Sequence, residues 1–299
     1  MLIGRPFTDT HVHFHDFSHP GLRWDWLTAD AVDPELGNYD AIKARRYIAE
    51  DFLAETRFRN VGHVVHVQAA IGSADPVAET QWLQESADRC GVPHGIVAYT
   101  DLAATDCAET LAGHARFSNL RGIRDLRYDG YLADEAWQQG FARLADHGLV
   151  FCDDPLVEHM AALAALAKRY PDITICIDHA GYPRERGTAY FRLWRAEMKR
   201  LADCENTIVK ISGLGMGDHR WSPESIRPWV LACIELWGTD RAFFGTNWPV
   251  DRLYSSYCDV IDAYGQVIQD FADAEIAALW SGTADRVFGL GGAADGAPC

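Results

Sequence analysis

The stretch "DTHVHFHDF" (9–17) sets His11, His13 and His15 at every second position, in a chain with 12 histidines among 299 residues. It overlaps the run "PFTDTHVHF" (6–14). A period of two is that of a β-strand, in which residues i and i+2 share a face. Seven further β-rich apolar runs follow: "VGHVVHVQAA" (61–70), "HGIVAYTDL" (94–102), "LRGIRDL" (120–126), "LVFCDD" (149–154), "ITICIDHA" (173–180), "TIVKISGL" (207–214) and "RAFFGTNWP" (241–249). Helical patterns separate them. "DPVAETQWLQESADRCG" (75–91) has a cap at Asp75 and Pro76 at the first helical position; "EHMAALAALAKRYPD" (158–172) is ended by Pro171. Eight strand–helix units predict a (β/α)8 TIM barrel, an α/β fold, as one domain over 1–290 with a disordered Gly/Ala-rich tail at 291–299. An open doubly wound sheet is the competing architecture, but no G-x-G-x-x-G follows the first strand.

Composition narrows the function. Hydrophobic residues make up 48 % of the chain, and 27 Lys plus Arg against 43 Asp plus Glu give a formal charge of −16. So acidic a chain, without a basic patch, is not expected to bind nucleic acid or an anionic membrane. The start "MLIGRPFTD" lacks the apolar run of a signal peptide, and no stretch is long enough to span a membrane. Eight scattered cysteines with no C-x-x-C pair read as reduced thiols of a cytoplasmic protein.

In a parallel barrel the chemistry gathers where strands end. Those ends carry His11 and His13, His66 and Gln68, Arg124, Asp153 and Asp154, Asp178 and His179, Lys210 and Ser212, and Asn247 with Trp248 and Asp251 just beyond. His11 and His13, on one face, suit one zinc-like ion, with His179 as the third ligand. The alternative is a hydrogen-bonded polar layer. His15 falls past the strand end. Residues 15–38 form a long loop, of a length that is often functional, whose aromatic group "LRWDWL" (22–27), with Trp24, reads from the residues alone as loop packing. Arg220 and Trp221 of "GDHRW" (217–221) are placed at the mouth.

The motifs "DTHVHF", "LRGIRDL", "DHAGYP" (178–183), "VKISGL" (209–214) and "FFGTNWPVDRLYSSY" (243–257) span nearly the whole chain. Through them the sequence resembles the amidohydrolase superfamily, in its amidohydrolase family 2 branch. Within that branch it is most similar to the sugar-acid lactonases and 2-pyrone-4,6-dicarboxylate lactonase. The resemblance implies a (β/α)8 barrel, hydrolysis of a lactone ring, either one metal or a metal-free site, and a cover over the ligand from the aromatic group at 22–27. The family's strand-8 Asp, in an "SDWP"-like motif, is here Asn247. Strand 5 lacks a histidine, and Arg124 stands in place of a bridging lysine, which disfavours a two-metal centre.

Lactone hydrolysis needs a polarised carbonyl, a deprotonated water and a stabilised oxyanion. The expected site comprises Asp251, His179, Arg124 and Asn247 as catalytic residues, with Asp251 the first choice of base and Asp153 or Asp154 next. The metal ligands are His11, His13 and His179. Substrate contacts are assigned to Trp24, His66, Gln68, Asp153, Lys210, Arg220, Trp221 and Trp248. The structural alternatives are an ion pair for Arg124, an orienting role for Asp178 and a buried acid partner for Lys210. With no G-x-S-x-G elbow, acyl-enzyme chemistry is disfavoured. The expected partner is a small polar or anionic lactone, with oligomeric state left open. Rival readings are a metal-dependent decarboxylase, a lactone isomerase and a non-catalytic binding protein.

Overall fold

The computed structural model describes residues 4–127 and 130–291. The expected tail beyond Gly291, and residues 128–129 of the loop after the fourth strand, lie outside the described residues. Eight parallel strands form one sheet in chain order: β1 (Phe7–Val12), β2 (Val61–Val67), β3 (Gly95–Ala98), β4 (Leu120–Ile123), β5 (Val150–Asp153), β6 (Ile175–Ile177), β7 (Thr207–Ile211) and β8 (Ala242–Phe244). Each lies within one of the eight apolar runs. The helices between them are α1 (Ala49–Thr56), α2 (Val77–Cys90), α3 (Cys107–His114), α4 (Glu135–Ala142), α5 (Met160–Arg169), α6 (Thr188–Ala202), α7 (Pro223–Trp237) and α8 (Tyr257–Ile268). The Asp75 carboxylate accepts from Val77 N at 2.9 Å at the start of α2, and Gly91 ends that helix at φ 81°. A two-stranded ribbon, His15–Asp16 with Arg46–Tyr47, ties down the long first loop. No helix among the described residues is long and apolar enough to cross a membrane.

Strand alternation sorts the core into two parts. Val65, Val67, Val97, Cys152, Cys176 and Phe243 pack with Phe288 and Leu290, which plug the N-terminal end of the barrel. The outward residues pack against helices, with Trp137, Trp194 and Trp237 fully buried there.

The barrel closes between β1 and the segment after β8. His13 N donates to Trp248 O at 2.7 Å, Trp248 N to His11 O at 3.2 Å, and Thr10 Oγ1 to Phe244 O at 2.8 Å. The Asp9 carboxylate accepts from Thr246 N (2.9 Å), Thr246 Oγ1 (2.6 Å) and Tyr257 OH (3.1 Å). Gly245 makes this seam possible, because a Cβ there would stand 2.8 Å from Thr10 Oγ1 and 3.0 Å from His11 Cβ. Gly245→Ala is therefore expected to destabilise the protein by about 1–3 kcal/mol, the usual cost of overpacking. Thermal unfolding measures it, and an unchanged Tm would mean that the seam is not close-packed.

Candidate active site

At the C-terminal mouth lies a cavity of about 590 Å³, a size suited to a small ligand. Its floor presents His13, Gln68, Arg124, Asp154, His179 and Asn247. Its rim is Trp26, residues 32–36, Tyr182, Arg184 and Met216. The rim segment is pinned to loops from three other strands. Glu35 pairs with Arg184 at 2.9 Å, its carbonyl accepts from His219 Nε2 at 2.9 Å, and Leu36 O accepts from Tyr254 OH at 3.1 Å.

The two strand-1 histidines meet. His11 Nε2 and His13 Nε2 are 3.1 Å apart, and His13 Nδ1 donates to Val67 O at 2.8 Å. That bond fixes the tautomer and leaves the His13 Nε2 lone pair available. The His179 ring stands 4.4 Å from that of His11, centroid to centroid, with its Nδ1 on Ser212 Oγ at 3.0 Å. Burial holds all three imidazoles neutral: His13 is lowered to about 3, and His11 and His179 fall well below the usual range, with neighbouring cations adding to the effect. Two nitrogen–metal bonds of about 2.05 Å at the tetrahedral angle span about 3.3 Å, so the His11–His13 pair fits a divalent ion. Among the described residues, the set of three ligand atoms lying within 4.8 Å of one another is not the histidine trio but Cys152, Cys176 and Asp178. The Lys210 ammonium already sits on that carboxylate.

Asp178 is the hub beneath the floor. Its carboxylate lies 2.9 Å from Lys210 Nζ, 3.6 Å from Arg124 Nε and 3.7 Å from His11 Nδ1. Burial alone would lower the Lys210 pKa, but Asp178 raises it above its ordinary value, so it stays charged. Lys210 is fully buried and lines the barrel interior rather than the cavity. Arg124 does line the cavity, with Nη2 3.5 Å from Asp154 Oδ2.

Strand 5 divides its two acids. Asp154 lies on the cavity floor, whereas Asp153 turns outward to accept from Tyr131 OH. Burial raises both carboxyls, Asp154 to about 6 with Arg124 opposing, and Asp153 well above the usual range with Asp154 adding to it. Asp251, raised by burial to about 7, is not among the cavity residues. It accepts from Asn247 Nδ2 at 2.7 Å. A carboxylate only accepts, so the amide nitrogen faces Asp251 and the Asn247 carbonyl oxygen is left for the cavity.

Other expected contacts lie off the cavity. His66 accepts from Phe14 N at 3.2 Å and donates to Glu79 Oε1 at 3.3 Å, so it braces the first two loops. Trp24 packs in the loop core and donates to Phe14 O at 3.1 Å; Trp26 supplies the rim instead. Trp248 is fully buried, with its indole on Glu55 at 3.0 Å. Arg220 lines a neighbouring surface depression, and Trp221, half-buried, packs against the core. His15 donates to Ala44 O at 2.9 Å and serves the ribbon. Sequence reasoning missed Trp26, Glu35, Tyr182, Arg184 and Met216; only the aromatic group at 22–27 and the long loop at 15–38 pointed toward the first two.

Among the described residues four non-glycines have positive φ, His179 (53°), Ala180 (54°), Tyr182 (38°) and Asn247 (57°), all just after β6 or β8. Such backbone costs on the order of 1–3 kcal/mol per residue and persists where the surroundings over-determine it, often at functional sites.

An amidohydrolase family model matches residues 8–290. The chain belongs to the amidohydrolase family. This family member is 38 % identical over 281 residues to the uncharacterised protein y4mH of Sinorhizobium fredii, covering 90 % of this chain and 94 % of that one. It is 32 % identical over 261 residues to an L-fucono-1,5-lactonase of Burkholderia ambifaria, covering 84 % and 83 %. The crystal structure of an amidohydrolase from Burkholderia multivorans with bound zinc superposes with a TM-score of 0.82 at 26 % identity, covering 95 % of this chain and 99 % of the other.

Arg124, the floor cation of this amidohydrolase, sits between two buried carboxylates. Arg124→Met is expected to lower kcat/KM by about 100-fold, the scale of a charged transition-state donor. It should also cost about 2–3 kcal/mol, because two buried acids lose their counter-charge. Steady-state kinetics on a turned-over lactone and thermal unfolding read the two effects, and near-native turnover would make Arg124 a structural ion-pair residue only.

Proposed function

We propose that the protein is a lactonase that opens a small polar or anionic lactone, of the sugar-acid kind, by attack of water at the barrel mouth. The observation that carries this reading is the floor of the cavity, where neutral His13 and His179, the Arg124 guanidinium and a buried carboxylate converge. The L-fucono-1,5-lactonase relative supports the lactone as substrate. Arg124 and Arg184 offer donors to ring hydroxyls or a carboxylate, and Trp26 and Tyr182 offer apolar faces to a sugar ring. Arg124 stands where it stabilises negative charge developing on the carbonyl oxygen. The Asn247 oxygen accepts a hydrogen bond from the attacking water, and Asp251 holds the amide in that orientation.

His11, His13 and His179 are the residues that would hold a divalent ion such as zinc, and the zinc in the Burkholderia multivorans structure supports this assignment. When bound, such an ion polarises a carbonyl and lowers the pKa of water. The strand-1 pair does its part by keeping both rings neutral and the His13 tautomer fixed.

Purified protein is expected to carry about one equivalent of metal by elemental analysis, and His13→Ala to lose most of it. Metal content far below one equivalent, with turnover indifferent to a chelator, would overturn the metal assignment and leave Arg124 as the main electrophile. The lactone reading is tested separately, with a panel of six-carbon sugar-acid 1,5-lactones followed by pH indicator and by carbon dioxide release. Acid release without carbon dioxide supports hydrolysis; no acid release from any member, or carbon dioxide release from a carboxylated analogue, overturns it.

A further inference from the structure

We propose that Asp154, just after β5, is the general base of this site. The proposal rests on the lactonase reading above and assigns its proton-transfer step.

The argument is one of position. A base must come within hydrogen-bond reach of the water it deprotonates. Asp251 does not line the cavity, and its carboxylate is occupied by the Asn247 amide at 2.7 Å. Asp153 faces outward, onto the Tyr131 hydroxyl. Asp178 lies under the floor among Lys210, Arg124 and His11. Among the described residues three acids line the cavity: Asp33, Glu35 and Asp154. Asp33 accepts from the backbone of Glu35 (2.8 Å) and Leu36 (3.1 Å) to shape the rim loop, and Glu35 is the partner of Arg184. Both sit at the rim. Asp154 alone of the three is on the floor, with only 4 % of its surface exposed, beside Arg124.

Its surroundings suit the task. The charged groups that face it are Arg124 from the end of β4, Asp178 after β6, Arg184 from the following loop, and Asp153 on its own strand. Burial and Asp178 raise its pKa and the two arginines restrain it, so that a carboxylate is kept basic yet still ionised near neutrality. The Arg124–Asp154 contact also places electrophile and base side by side.

The step balances as follows. Asp154 takes one proton from water as the water oxygen bonds to the lactone carbonyl carbon, and the carbonyl π electrons move onto its oxygen. Collapse of that oxyanion re-forms the carbonyl and breaks the bond to the ring oxygen. The ring oxygen then takes the proton from Asp154, giving a hydroxy acid that loses its carboxyl proton to solvent and returns the base ionised.

The test uses the full chain and the sugar-acid 1,5-lactone turned over fastest by the wild type. Asp154→Asn is expected to lower kcat by about 100-fold or more with KM within about 3-fold. Asp154→Ala is expected to regain at least about 10-fold with added formate, which supplies the missing carboxylate. Asp251→Asn, which disturbs only the orientation of Asn247, is expected to lose less than about 10-fold and to gain nothing from formate. Wild-type kcat should fall as pH drops through about 6, where Asp154 takes up its proton, and this limb should be absent from the formate-rescued variant. Near-native turnover in Asp154→Asn overturns the proposal while leaving the lactonase reading intact. So does formate rescue of Asp251→Ala but not of folded Asp154→Ala. A wild type that opens no lactone overturns both.

Discussion

The site depends on the seam where β1 meets the end of β8. Asp9 is buried there and accepts from Thr246 N, Thr246 Oγ1 and Tyr257 OH. Burial outweighs these bonds and raises its pKa to about 6, so the carboxylate is held at an electrostatic cost that the barrel's closure offsets. Asp9 precedes His11 and His13 by two and four residues on β1, and an irregularity in the pairing between Asp9 and Val12 lets the carboxylate turn toward Tyr257 of α8 while the two histidines turn toward the barrel interior. Thr246 directly precedes Asn247. Fixing Asp9 against Thr246 therefore sets the two strand-1 histidines beside the strand-8 residue, and the His13–Trp248 backbone bond at 2.7 Å carries that register up to the mouth.

A second constraint is charge. The floor and the layer beneath it hold three neutral imidazoles next to Arg124 and Lys210, an arrangement that desolvation and like-charge repulsion enforce together. Neutral rings keep lone pairs that protonated rings would lose. Asp178 makes this tolerable by meeting both cations within 3.6 Å and standing 3.7 Å from His11 Nδ1. One buried acid thus serves as counter-ion to the cations and as a polar partner for a histidine.

The eightfold fold was legible because each strand is an apolar run bounded by turn or cap residues, and because β1 and β6 end in histidines that the barrel must bring to one mouth. Less legible was parity. His66 and Asp153 close apolar runs like any floor residue, yet each points outward, to Glu79 and to Tyr131, while Asp154, one residue on, points in. A run of apolar residues buried on both faces gives no alternation from which to read the inner side. The loops were opaque for another reason. Trp24 and Trp26 are chemically alike and two residues apart, but Trp24 donates to Phe14 O and Trp26 to Ala69 O, and only the second reaches the cavity. Such choices rest on contacts between distant segments, which spacing along the chain does not encode.

Asn247 and Asp251 are better understood as a pair than as a lost acid. Asn247 sits at φ 57°, a conformation that its short amide tolerates better than most side chains, and the bond to Asp251 holds it there. An aspartate in its place would face the Asp251 carboxylate at the 2.7 Å now spanned by an N–H donor. Two carboxylates so close and so buried cannot both ionise, and would share one proton between them. An acid at position 247, with Asp251 kept, would therefore yield a coupled dyad instead of a simple base. The amide keeps a single, well-partnered charge behind the cavity wall and an oxygen acceptor in front of it. Proton transfer then falls to an acid on another strand, and β5, with Asp154 on the floor beside Arg124, is where the barrel provides one.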